Sequence, residues 1–136
     1  MKRFGQLQAI AFVGLAATLF SASCERDDTK PTVNPTIEFV VAEGYTYLSD
    51  TVAMGDTLLV GVRINRGDDG LNTFKVISTY DGGNETVVDS LSIGSDTFAF
   101  DKSIRTRSQE GVERWTFWVR ESDGDVIRRS LTFVVQ

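Results

Sequence analysis

Histidine is absent from this chain, cysteine occurs once and proline twice. The first absence removes the Ser-His-Asp and Cys-His nucleophilic arrangements and every histidine-ligated zinc site. The lone cysteine removes an internal disulfide. A folded domain must therefore rest on burial of Val, Leu, Ile and Phe side chains, each contributing about 1.5–3 kcal/mol. Paired carboxylates, which serve glycoside hydrolysis, are still present in the composition. A sandwich of about a hundred residues, near the commonest size for one domain, offers little cleft for a sugar ring. Neither catalysis nor a cofactor is expected.

Positive charge is scarce as well, with 14 Lys and Arg against 19 Asp and Glu and a net charge of −5. Such a chain repels a phosphate backbone, whose binding depends on neutralisation by Lys and Arg, so nucleic acid is not an expected partner. The acidic excess falls before Asp101, and residues 101–136 are nearly balanced.

The single continuous apolar stretch, Ala9 to Phe20, follows Lys2 and Arg3 and ends at the small residues Ser21, Ala22 and Ser23. It is shorter than the roughly 20 residues a membrane span needs, and fits the apolar core of a cleavable signal peptide. Residues 1–23 are thus expected to be a leader, with Cys24 the first residue of the mature chain. A partnerless thiol is out of place in an oxidising compartment, which favours acylation of Cys24. Residues 24–35 are polar, hold Pro31 and Pro35, and read as a tether. The folded domain is expected over 36–136.

The run Ser21-Ala22-Ser23-Cys24 resembles a bacterial lipobox, with serine where leucine is usual. Together with Glu25, Asp27 and Asp28 just after the cysteine, it is similar to the surface lipoproteins of the Bacteroidetes type. That resemblance implies a lipid anchor on Cys24, attachment to the outer membrane and exposure at the cell surface. Asp50-Thr51-Val52, Asp56-Thr57-Leu58 and Asp89-Ser90-Leu91 resemble the short O-glycosylation sites of the same group.

From Thr36 onward apolar residues recur with period two and are rich in β-branched and aromatic types, the signature of strands. Ile37, Phe39 and Val41 mark a first strand, and Leu58, Val60, Val62 and Ile64 a second. Phe74, Val76 and Ser78 mark a third, Thr86 to Ile93 a fourth, and Phe98 with Phe100 a fifth. Asp68-Asp69-Gly70, Asp81-Gly82-Gly83-Asn84 and Gly94-Ser95-Asp96 supply turns. The last two strands place Trp115, Phe117 and Val119 inward against Leu131, Phe133 and Val135. A three-residue loop at Asp123-Gly124-Asp125 would set Trp115 opposite Phe133 and Phe117 opposite Leu131. About seven such strands predict an all-β, immunoglobulin-like antiparallel sandwich, and the span 36–136 resembles the Ig-like modules of Bacteroidetes-type lipoproteins.

The same parity turns Arg114, Thr116, Trp118 and Arg120 outward beside Arg128, with Arg105 and Arg107 in the preceding connection. Trp118, Arg114, Arg120 and Arg128 are the candidate contact residues, since an exposed indole among guanidinium groups can stack on a sugar or anchor a protein interface. The acidic turns, through Asp68, Asp69, Asp81, Asn84, Glu85, Asp123 and Asp125, have the oxygen chemistry of calcium ligands but not the spacing of an EF-hand. Asp and Asn also make good turns without any ion, so no metal site is assigned from sequence. The expected role is a non-catalytic binding or adhesion module with a glycan or envelope-protein partner. The alternative is a structural accessory subunit of an outer-membrane glycan-uptake or fimbrial complex.

Overall fold

The computed structural model describes residues 31–136, so the expected leader over residues 1–23, Cys24 and residues 25–30 lie outside the described residues. Eight strands follow: β1 (Thr36–Phe39), β2 (Asp50–Val52), β3 (Thr57–Asn65), β4 (Leu71–Tyr80), β5 (Thr86–Ser92), β6 (Thr97–Arg105), β7 (Gly111–Glu121) and β8 (Val126–Val135). They form a three-stranded sheet in the order β1-β3-β6 and a five-stranded sheet in the order β2-β8-β7-β4-β5. The chain changes sheet at every step from β1 to β4 and again between β5 and β6 and between β6 and β7, crossings of the Greek-key kind found in immunoglobulin-like sandwiches.

Seven strands lie where the alternation put them, and β2 is the addition. Three residues are too few for a period-two pattern to register. It is also the exception to antiparallel pairing, since Asp50–Val52 runs parallel to Phe133–Val135. The first strand ends at Phe39 and does not reach Val41, which is exposed. The fourth ends at Ser92, leaving Ile93 buried in the connection.

Between the sheets lie Val60, Val62, Ile64 and Ile104 from one layer and Phe74, Val76, Phe117, Val119 and Phe133 from the other. Phe74 is the hub, with ring centroids 5.2 Å from Phe98, 5.1 Å from Phe100 and 6.4 Å from Phe117. At the open edge Lys102 on β6 meets Asp89 on β5 at 2.8 Å, an ion pair joining the two sheets. At the other side Arg129 reaches from β8 to β1, donating to the Ile37 carbonyl at 2.9 Å with its guanidinium 4.8 Å from the Phe39 ring centroid.

The β7–β8 hairpin corrects the sequence register. Its loop has three residues, but they are Ser122-Asp123-Gly124, closed by the Glu121 N–H on the Asp125 carbonyl at 2.8 Å. Trp115 therefore lies opposite Leu131, and Phe117 opposite Arg129. Gly124 has φ +100°, the left-handed step that ends a type I turn with a G1 bulge, and this fixes glycine at the third loop position. A slip of two residues preserves parity, so the inward and outward faces are as expected.

Before β1 the chain docks on the β3–β4 connection. The Asp68 N–H donates to the Val33 carbonyl at 3.0 Å, and the Val33 N–H to Asp68 Oδ2 at 3.3 Å.

Candidate functional site

The outer face of β8, β7 and β4 carries Arg128, Arg114, Trp118, Arg120 and Lys75 and no acidic side chain, a consequence of strand parity. Trp118 sits at its centre, paired with Lys75 on β4 and Arg128 on β8. Its indole is half-buried, with Lys75 Nζ 4.6 Å and the Arg120 guanidinium 6.0 Å from the ring centroid. The structure thus gathers Arg120 and Arg128 around Trp118, adds Lys75, and leaves Arg114 four residues along β7, roughly 13 Å away. Arg105 and Arg107 do not join this face. Arg105 ends β6 in the other sheet, and Arg107 packs on the Tyr80 ring at 4.5 Å.

Arg128 is not free. It pairs with Glu85 at 3.1 Å, and since β7 and β4 separate β8 from β5, this contact draws the β4–β5 turn over the outer face. Ile77, Thr79 and Thr116, outward by parity, are buried there, and the Thr116 and Ser130 hydroxyls share a hydrogen bond of 2.7 Å. The hydroxyl-bearing residues Thr51, Thr57 and Ser90 are all exposed.

At the end of the sandwich that holds the β6–β7 connection, Glu113 is fully buried on the inward side of β7. Its Oε1 accepts the Arg107 backbone N–H at 2.8 Å and Nε at 3.2 Å, and its Oε2 accepts the Trp115 indole N–H at 3.3 Å. Arg107 continues to Asp81 Oδ2 at 3.0 Å, and Asp81 Oδ1 accepts the Val112 N–H at 2.8 Å. The Arg107 guanidinium and that N–H hold the Asp81 carboxyl below its usual range.

The other end brings carboxylates together. Asp68, Glu121, Asp123 and Asp125 each offer an oxygen within 4.8 Å of the others. Three of these belong to the acidic turns of the sequence, whereas Asp81 and Glu85 are engaged elsewhere as described. Glu121 was missed by turn chemistry because it is a strand residue. The signal for it was parity: an acid at an inward position, followed at alternate residues by Asp123 and Asp125. Burial pushes the Glu121 carboxyl up, the Gly67 N–H draws it back, and the charges of Asp123, Asp68 and Asp125 add to the rise. Burial also raises Asp125, with Asp123, Asp68 and Asp69 contributing.

No family model and no curated protein matches the chain. Among solved structures, the chain is similar to the CARDB domain of a Pyrococcus furiosus protein solved in complex with di-metal ions, at 19% identity and a TM-score of 0.45, covering 79% of this chain and 99% of that one. It is also similar to a chain of the complex between zinc 2-glycoprotein and prolactin-inducible protein from human seminal plasma, at 9% identity and a TM-score of 0.46, covering 82% and 100%.

Proposed function

We propose that this chain is a lipid-anchored, non-catalytic binding module at the cell surface, held to the outer membrane through Cys24, and that the Trp118 face makes the contact. One observation carries this reading: an aromatic ring flanked by Lys75, Arg120 and Arg128 on strands that turn no acidic side chain to that face, with Arg128 paired to Glu85 of the β4–β5 turn, on a molecule whose net charge is −5. Lys75 over the indole favours an anionic partner over a neutral sugar, because a neutral ring gains little from displacing a cation–π contact of about 0.5–1 kcal/mol or more. Carboxylated glycan is the partner class that fits this chemistry. The chain shows no pocket among the described residues, and a long polymer can bind along a flat sheet face.

The test combines address and contact. Intact mass of the chain from expressing cells, with and without Cys24→Ala, reads acylation, and protease shaving of whole cells reads exposure. Binding to an acidic polysaccharide such as polygalacturonate should weaken at least tenfold in Trp118→Ala and fall with added salt. An unmodified Cys24, a protease-protected domain, or undiminished binding by Trp118→Ala would each sink the corresponding part.

The accessory-subunit reading has its own support in the edge strand β5, unpaired on one side among the described residues, where Val87, Val88 and Leu91 stand exposed. An unpaired apolar edge is a template for another strand. Recovery of the chain only within a detergent-solubilised envelope complex, lost on Val88→Lys, would favour it.

A further inference from the structure

The β3–β4 connection and the β7–β8 loop are bolted to one another by their backbones. The Ser122 N–H and Oγ both donate to the Gly70 carbonyl, at 2.9 and 3.1 Å. The Gly67 N–H donates to Glu121 Oε1. A side chain at Gly67 would run into the Val33 carbonyl, so glycine is what lets this loop press against Val33 while aiming its N–H at Glu121. These contacts hold four like-charged groups together, against their mutual repulsion.

Oxygen ligands lie about 2.3–2.6 Å from a calcium ion, so opposite ligands are roughly 4.6–5.2 Å apart. Oxygens from Asp68, Glu121, Asp123 and Asp125, all within 4.8 Å of one another, fit on such a sphere. A second observation is independent of that clustering. Glu121 is only 1% exposed, yet among the described residues its Oε2 has no hydrogen-bond partner, and neither has the buried Oδ2 of Asp125. An uncompensated buried carboxylate is among the costliest groups a fold can hold, and a bound cation is the direct remedy. The donor set is oxygen alone, which selects a hard cation. Dense carboxylates without a built octahedron suit calcium better than magnesium, which keeps most of its water.

We propose that Asp68, Glu121, Asp123 and Asp125 form a calcium site that clamps the β3–β4 connection to the β7–β8 hairpin. The site is independent of the Trp118 face. Water completes the shell, and Asp69 stands nearby in sequence as a further acidic group.

The test is calorimetric titration of calcium chloride into the chelator-treated chain, paired with thermal unfolding. One ion per chain is expected, with a rise in melting temperature of roughly 4–7 °C at several times the dissociation constant, and a clearly smaller response to magnesium. Asp123→Asn, on an exposed loop where folding is not at stake, should weaken binding at least tenfold. Glu121→Gln should abolish both heat and thermal shift. Two results would overturn the site: no heat and no shift with millimolar calcium, or a calcium response that survives unchanged in Asp123→Asn and Glu121→Gln. A third would do so as well, namely Glu121→Gln raising the metal-free melting temperature while calcium leaves the parent chain unmoved, since Glu121 would then be a protonated structural group.

Discussion

Among single residues, Glu113 does the most structural work for its size. It satisfies the Arg107 backbone, the Arg107 side chain and the Trp115 indole from one fully buried carboxylate. Glu113→Ala strands three N–H donors, the buried Trp115 indole among them, and should cost about 2–4 kcal/mol, read as a lower urea midpoint. Its neighbour Asp81 gives a pH prediction. Folding holds the Asp81 carboxyl below the ordinary value of 3.8, so the folded chain binds fewer protons than the unfolded one. The resulting stabilisation is complete above that value and is lost as pH falls through the lower folded one. Denaturation midpoints of the parent chain and Asp81→Asn should therefore differ by a constant amount above about pH 5 and converge only as pH falls below about 4. Glu121 and Asp125, raised by burial, titrate with the opposite sign, but they do so in both proteins and cancel in the comparison.

At the scale of elements, alternation located β3, β6, β7 and β8 because one face of each is more buried than the other, while β5, with no buried residue, was marked by its β-branched residues between turns. The three residues of β2 carry no such pattern, and their parallel pairing with β8 depends on where the chain returns after residues 40–49. The hairpin loop length followed from parity, but its position did not. Only the left-handed requirement at the last loop residue places Gly124 third and shifts the register by two. The outward direction of Trp118 was legible for the same reason. Its cover by Lys75 was not, since that needs the register of β4 on β7. The Glu85–Arg128 pair is a strap over the same face. Both side chains are about half exposed, and such pairs contribute roughly 1 kcal/mol at most. Glu85→Gln should accordingly leave the melting temperature nearly unchanged while releasing Arg128, and affinity for an acidic polysaccharide should rise severalfold. A fall in affinity would show instead that the turn helps to build the contact.

For the whole molecule, composition already separated an acidic body from a balanced C-terminal third, and the fold sharpens this into two poles. Carboxylates converge where β3 meets β4 and β7 meets β8, and cations line the outer face of the larger sheet. Asp68, Asp123 and Asp125 of the first pole were legible one by one as turn residues, but the convergence was not, because Asp68 is far in sequence from Glu121, Asp123 and Asp125. The docking of Val33 on Asp68 then acquires a mechanical meaning. Strand β1 begins at this same pole and runs away from it, paired antiparallel to β3 from Thr36 to Phe39. A pull on the chain N-terminal to Val33 is directed along β1, so its hydrogen bonds with β3 are loaded together in shear and do not peel one at a time. The two bonds between Val33 and Asp68 take the load first. In single-molecule pulling from the N-terminus, Asp68→Ala should lower the force of the first rupture while leaving the main unfolding peak in place. A module tethered as proposed would resist drag on a bound partner through the alignment of a four-residue strand, with no covalent crosslink to reinforce it.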